Sequence, residues 1–192
     1  LIYLEEKNYK TLTIQEFYDQ LKSGKNPRQK SVVLTFDDGN FDNYKYAFPL
    51  LVKYGFVGVF YVPSNRRGIN NAQLKEMTEA GMIIEPHGKT HMLLSKIHDG
   101  GQLYQEIVVS KQNIESVTGK QVLSFCYPGC EYNGTVIGTL SGNGYQLAFS
   151  CGVSIDHKLA KRFVLSRLHV YNDMNHFKSI LSGKTYYPSY SD

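Results

Sequence analysis

The sequence predicts an α/β fold in which a mostly parallel sheet is covered by helices, open or closed into a barrel. Three observations predict it. Short apolar runs alternate with longer amphipathic segments along the whole chain. The runs are continuously apolar rather than alternating, which suits strands buried on both faces. Glycines follow the amphipathic segments, where helices stop. The 192 residues correspond to about one domain at roughly 150 residues per domain, and no internal repeat or linker-like stretch divides them. We therefore expect a single domain over residues 1–192. The chain starts at Leu1, without Met and inside an apolar stretch, so we expect the natural polypeptide to extend upstream.

Taken in order, residues 32–36 read as a buried strand. Residues 43–53 read as a helix, with Tyr46, Ala47, Leu50, Leu51 and Tyr54 at helical spacing and Gly55 as its stop. Residues 57–62 form a second buried strand. A helix over 71–80 stops at Gly81 and leads into a third strand at 82–84. The long amphipathic segment 103–117 ends at Thr118-Gly119. A strand at 122–125, a short helix at 135–140 and a strand at 146–149 follow. Residues 162–170 alternate like a strand, and a helix over 174–181 ends at Gly183.

Composition removes several function classes. Apolar residues are 42% and charged residues 20%, a globular balance rather than a disordered one. No apolar run approaches the roughly 18 residues of a membrane span. Against 17 Asp and Glu stand 21 Lys and Arg, a net +4 spread along the chain, so no basic block argues for nucleic acid. No secretory signal is visible. Three cysteines cannot all pair, so the chain is no disulfide scaffold, and Cys126, Cys130 and Cys151 read as buried free thiols. Trp is absent and Tyr numbers 15, so Tyr or Phe would supply any aromatic stacking surface.

In parallel α/β folds ligands sit at the carboxyl ends of the strands, so the residues just after each strand carry the functional reading. Asp37-Asp38-Gly39 follows the first strand. Two adjacent carboxylates repel unless a cation sits nearby, and Gly39 could bend the chain so that both approach one site; an ordinary solvated Asp-Gly turn is the plainer alternative. After the third strand come His87 and His91, whose i, i+4 spacing lets both imidazoles reach one ion. Two histidines and one carboxylate leave a coordination position open, the layout of a catalytic site. After the fourth strand comes Tyr127-Pro128-Gly129-Cys130, in which the Gly129 N–H could stabilise a developing oxyanion. The last strand carries Arg167 and His169 two apart, hence on one face. Arg167 could orient a carboxylate by a bidentate bond, and His169 reads as an acid or as a wall residue.

Thr35-Phe36-Asp37-Asp38-Gly39, then His87-x3-His91, then Phe125-x-Tyr127-Pro128, together resemble the polysaccharide deacetylase family, the NodB-homology domain of carbohydrate esterase family 4. The third motif is most similar to the branch acting on poly-N-acetylglucosamine and related exopolysaccharides, and Leu165-Ser166-Arg167-Leu168-His169-Val170 fits that branch's late motif. The resemblance implies a distorted (β/α) barrel of about seven mostly parallel strands with outer helices. It implies Asp37 as general base and Asp38, His87 and His91 as ligands of one divalent metal. Zinc comes first, with cobalt, nickel or manganese as alternatives. It further implies the Gly129 N–H as oxyanion donor, Arg167 as the tether of Asp37, and Tyr127 and Pro128 as substrate contacts. An aromatic usual in the family is absent at Gly129, which removes one wall of the sugar groove. The general acid is His169 or a residue upstream of Leu1. Relatives often carry a longer loop over 63–71, so the expectation is that this chain lacks residues there.

The expected activity is hydrolysis of N-acetyl groups on a glucosamine-containing polysaccharide, releasing acetate. Polymers of that kind lie outside the cytoplasm, so the expected location is extracellular or at the cell surface. A glycan-binding pseudoenzyme that keeps the fold without the chemistry is the alternative. A divalent-metal phosphoryl hydrolase fits less well, because a single Asp-Asp pair provides few bridging carboxylates.

Overall fold

The computed structural model describes residues 1–65 and 68–183. Its eight short strands pair in parallel throughout and form three arcs of a distorted barrel. β1 (Lys10–Thr11) pairs with β2 (Ser31–Val32). β3 (Leu34–Phe36), β4 (Gly58–Val62) and β5 (Ile83–Pro86) form the second arc. β6 (Ser124–Cys126), β7 (Leu147–Cys151) and β8 (Leu165–Arg167) form the third. Eight helices accompany them: α1 (Ile2–Glu6), α2 (Ile14–Ser23), α3 (Phe48–Lys53), α4 (Asn71–Glu79), α5 (Gly100–Tyr104), α6 (Ser110–Thr118), α7 (Gly134–Gly142) and α8 (Met174–Leu181). This is the distorted (β/α) barrel that the sequence led us to expect, with eight strands described.

The period of two along each strand sorts the core into two layers. Val59 and Tyr61 of β4, Cys126 of β6, Leu147 and Phe149 of β7 and Leu165 of β8 point into the barrel, where Ile14 of α2 joins them. Phe60 and Val62, Phe125 and Ala148 point outward and pack beneath the helices with Leu51, Met77, Ile107 and Ile114. Strands covered on both faces need no polar alternation, which is why their sequences read as continuous apolar runs.

Two seams interrupt the hydrogen-bonded ladder, and side chains cross both. Between β5 and β6 the Glu85 carboxylate accepts the backbone N–H groups of Leu123 (3.1 Å) and Ser124 (3.0 Å). Between β8 and β3 the Arg167 guanidinium reaches Thr35 Oγ1 (3.2 Å) and Asp37. At the first seam the carboxylate supplies the acceptor that buried backbone N–H groups require, whereas at the second the link runs between side chains.

Several expectations need correction. The run 32–36 is two strands, because Val33 separates β2, which pairs with β1, from β3, which pairs with β4. The helices expected over 43–53 and 103–117 contain wider π-helical turns, Asn43–Ala47 and Gln105–Val109. α2 was not anticipated, although Thr13 and Glu16 form a capping box at its start and Gly24 ends it with φ 63°. The strand expected over 162–170 shrinks to Leu165–Arg167, preceded by a tight turn at Leu159–Lys161. Cys130 and Cys151 are not free thiols: they form a disulfide with Cα atoms 5.4 Å apart, ordinary for such a bond, and Cys126 is the free, buried one. Of the segment 63–71, Arg66 and Arg67 lie outside the described residues, as do residues 184–192. No helix among the described residues is long and apolar enough to cross a membrane.

Candidate metal centre and active site

The site stands at the carboxyl ends of β3, β5, β6 and β8. Directly after β3 the chain turns through two consecutive left-handed residues, Asp38 (φ 71°) and Gly39 (φ 61°). A side chain at 39 would also run into Val62, 2.7 Å from its Cβ, so glycine is required there twice over. The turn sends the two carboxylates to different partners. Asp37 points at Arg167 and Asp38 points at the histidines.

His87 directly follows β5 and is almost wholly buried, with 3% of its surface exposed. Its Nδ1 lies 2.7 Å from the Cys126 carbonyl oxygen, which fixes Nδ1 as the N–H donor and leaves Nε2 with a lone pair. That Nε2 is 3.6 Å from Asp38 Oδ1. Burial lowers the His87 pKa, although the Asp37 charge and the Cys126 carbonyl pull the other way, so the ring is held neutral as a ligand must be. His91 Nε2 lies 3.0 Å from the same Asp38 oxygen, and the two imidazole rings stand edge to face at 4.8 Å. One donor atom from each of Asp38, His87 and His91 lies within 4.8 Å of the others. The donor set of two imidazoles and one carboxylate fits a first-row divalent ion, and its spacing is near what tetrahedral bonds of about 2.0–2.2 Å would need. Asp38 and His91 are two of only four non-glycine residues at positive φ among those described. Backbone strain concentrated on two prospective ligands is the kind of outlier that points to function.

Beside this trio, Arg167 grips Asp37 with two parallel bonds, Nη1 to Oδ1 at 2.7 Å and Nη2 to Oδ2 at 2.6 Å. Burial pushes the Asp37 pKa up, but the Arg167 hydrogen bonds and charge, with His87 adding, more than offset it and leave it below the ordinary carboxylate value. Asp37 is therefore ionised at neutral pH and able to accept a proton. Cys126, which the sequence reading left out of the site, also belongs here. Its Sγ accepts from Arg167 Nη2 at 2.8 Å and lies 3.5 Å from Asp37 Oδ2. Burial raises the pKa of this thiol well above normal, so it remains neutral.

Gly129 adopts φ 61° in the turn after β6, whose own bonds run from the Cys130 N–H to Tyr127 and from the Glu131 N–H to Pro128. A Cβ at 129 would collide with Leu93 Cδ2. Leu93, an apolar side chain, therefore occupies the space that a larger residue at 129 would need.

Three expected site residues have other neighbours in the structure. Tyr127 is 1% exposed and donates its hydroxyl to the Phe163 carbonyl at 2.8 Å, and Pro128 is buried beside it, so neither side chain reaches a groove. The exposed aromatic at this rim is Tyr132, tilted against Tyr127 at 5.0 Å. His169 lies past the end of β8, so it does not share a strand face with Arg167. It is exposed, its ring is 4.6 Å from Tyr171, and among the described residues no hydrogen bond or ion pair joins it to Asp37, Asp38, His87 or His91.

Fold and geometry thus define a parallel α/β barrel whose strand exits gather a carboxylate–imidazole–imidazole trio able to hold a metal ion and, beside it, an arginine-clamped carboxylate. The chain belongs to the polysaccharide deacetylase family, whose model (Polysaccharide deacetylase) matches residues 24–148. It is 31% identical over 176 residues to YxkH of Bacillus subtilis (strain 168), named among the polysaccharide deacetylases, covering 88% of this chain and 61% of that protein. It is 29% identical over 190 residues to the poly-beta-1,6-N-acetyl-D-glucosamine N-deacetylase of Staphylococcus epidermidis (strain RP62A), covering 89% and 65% respectively. The chain thus spans about three fifths of the length of these curated relatives. In structure it is similar to the Streptococcus pyogenes deacetylase PplD, solved in complex with acetate, with a TM-score of 0.85 at 24% identity over 94% of this chain and 81% of that one.

Proposed function

We propose that this domain hydrolyses N-acetyl groups on a glucosamine-containing polysaccharide, releasing acetate. One observation carries the reading: a carboxylate held ionised by a bidentate arginine stands against a carboxylate–imidazole–imidazole trio. A divalent ion held by Asp38, His87 and His91, zinc first by its liking for imidazole and carboxylate, would supply a Lewis acid that acidifies water and polarises the acetyl carbonyl. Asp37 takes the proton of the attacking water, and Arg167 keeps it in place and charged. The Gly129 N–H donates to the oxygen that gains charge, a contribution worth about 3–4 kcal/mol at comparable sites. The leaving amine needs a proton in return. Within this chain His169 is the candidate, carried by the exposed segment after β8; a residue outside the chain is the other.

The poly-N-acetylglucosamine class is favoured by the name of the Staphylococcus epidermidis relative. Leu93 and Tyr132, exposed beside Gly129, would then face the sugar. We assign the protein to an extracellular or cell-surface location, which the Cys130–Cys151 disulfide supports because such bonds persist in oxidising compartments.

The exposed position of His169 favours a second reading, a glycan-binding pseudoenzyme. Acetate release from N-acetylglucosamine oligomers separates the two. Turnover lost on chelation, restored by Zn²⁺ and absent from Asp38→Ala together with metal binding supports the hydrolase. No acetate at any metal loading, with oligomer binding intact, supports the binder.

A further inference from the structure

We propose that Glu106 is a positioning residue of the metal centre, holding the loop between the two histidines in the strained shape that brings His91 to Asp38. Glu106 lies in the π-helical turn Gln105–Val109 and is 2% exposed. Its Oε2 accepts two consecutive backbone N–H groups, Lys89 at 2.8 Å and Thr90 at 2.9 Å, and its Oε1 accepts the Thr90 hydroxyl at 2.6 Å. Among the described residues no cation pairs with it. Converging loop dipoles therefore stabilise a buried carboxylate, as in backbone anion nests. The approach is close: a Cβ on Gly88 would stand 2.9 Å from Glu106 Oε2.

The two ligands depend on this anchor unequally. His87 is held independently, by its N–H to Val62 (3.0 Å) on the strand and by the Cys126 carbonyl on its ring. His91 sits at φ 67°, a conformation uncommon for any residue but glycine, immediately after the two anchored residues. Without Glu106 two loop N–H groups lose their acceptor, and the backbone is free to relax toward negative φ. His91 Nε2 then withdraws from Asp38 while His87 stays. Glu106 thus acts on the third ligand without touching the ion. Outer partners of metal sites typically carry 10–100-fold of affinity.

The inference rests on the reading of Asp38, His87 and His91 as metal ligands, but not on the substrate. The test is competition of apo-protein with a chromophoric chelator for Zn²⁺, at a temperature where circular dichroism shows every variant folded. Glu106→Ala is expected to bind about 10–100-fold more weakly. Glu106→Gln keeps an acceptor for the two N–H groups and is expected within about threefold of wild type. Ile14→Ala, a core truncation at a residue of α2 that touches neither Glu106 nor the loop between the histidines, is expected to lower Tm without changing metal affinity. If Glu106→Ala does not fold, Glu106→Asp carries the test, because one methylene less leaves the carboxylate short of the loop; it too should bind at least tenfold more weakly. Wild-type affinity in the Glu106 variant that folds overturns the proposal, and so does an equal loss in Ile14→Ala. A wild-type protein that binds no Zn²⁺ overturns the metal reading and this inference together. Tight binding without acetate release overturns only the deacetylase reading.

Discussion

Glu85 and Asp37 do the same architectural work at two places and end in opposite states. Each carboxylate crosses a seam of the barrel where neighbouring strands share no ladder, Glu85 from β5 to β6 and Asp37 toward β8. Burial pushes both pKa values up. Glu85 meets only backbone N–H groups at close range, with Lys111 and Glu115 acting from farther away, and its pKa rises to about 8. Asp37 meets a guanidinium, and its pKa falls below normal despite burial. The partner, not the depth, decides whether a buried acid is a neutral strut or a charged base. The two also differ in access: the Asp37 side chain is partly exposed, as the base role proposed for it requires, while Glu85 is enclosed.

The largest break in this comparison is Asp37→Asn. It keeps the shape and one acceptor oxygen for Arg167, but turns the other oxygen into an NH2 donor and removes the proton acceptor. We expect a loss of about 10²–10⁴ in kcat with Zn²⁺ affinity retained, read by acetate release and chelator competition. Unchanged turnover would remove Asp37 from the base role. Arg167→Met comes next. It leaves Asp37 with the Glu85 condition, burial without a cation, so its pKa must rise. A base has to be ionised to work, so the acidic limb of the kcat/KM profile should move to higher pH, with activity at neutral pH down about 10–100-fold. A limb that stays in place would show that something other than Arg167 sets the Asp37 charge.

The same contrast explains what could be read without coordinates. The Asp37-Asp38 pair, His87, His91 and Arg167 were legible because each follows or ends a strand, and parallel barrels gather strand exits at one end. The fold class was legible because strands covered on both faces need continuous apolar residues. Glu85 and Glu106 were not legible. A glutamate inside a strand or helix reads as surface, and only the fold reveals that backbone N–H groups wait for it. The resemblance of the Phe125-x-Tyr127-Pro128 motif implied Tyr127 as a substrate contact, but its hydroxyl has a partner 36 residues away in Phe163. The Cys130–Cys151 bridge closes a separation of 21 residues that spacing alone did not reveal. His169 was misplaced by a strand taken too far: alternation continues past Arg167, but the pairing with β7 ends there.

Glu85 also makes stability depend on pH. An acid whose folded pKa is raised binds more protons folded than unfolded between the two values, so its stabilising contribution is full below the unfolded value of 4.5 and lost as pH rises through about 8. Asp37 tilts the other way, losing its contribution only as pH falls through its lowered value. Thermal melts should therefore show Tm falling by several degrees from pH 5 to pH 8, at about 2–4 °C per kcal/mol for a chain of this length. Glu85→Gln, which mimics the neutral acid, should flatten that slope. A slope that survives the substitution assigns it to other groups.

The smallest effect belongs to Thr35→Val. Arg167 Nη1 divides its donation between Asp37 Oδ1 at 2.7 Å and Thr35 Oγ1 at 3.2 Å, and the longer bond is the weaker one. Deleting the hydroxyl removes one acceptor and leaves the bidentate clamp intact. The cost should lie near the low end of a net hydrogen bond, about 0.5–1 kcal/mol in a denaturant melt. The acidic limb of the pH profile should stay where it was, because the charge beside Asp37 is unchanged. If the limb instead moves as far as in Arg167→Met, the guanidinium is aimed by Thr35 rather than by Asp37 itself. The seam between β8 and β3 would then hold the base through a strand residue, as the other seam holds Glu85 through the backbone of β6.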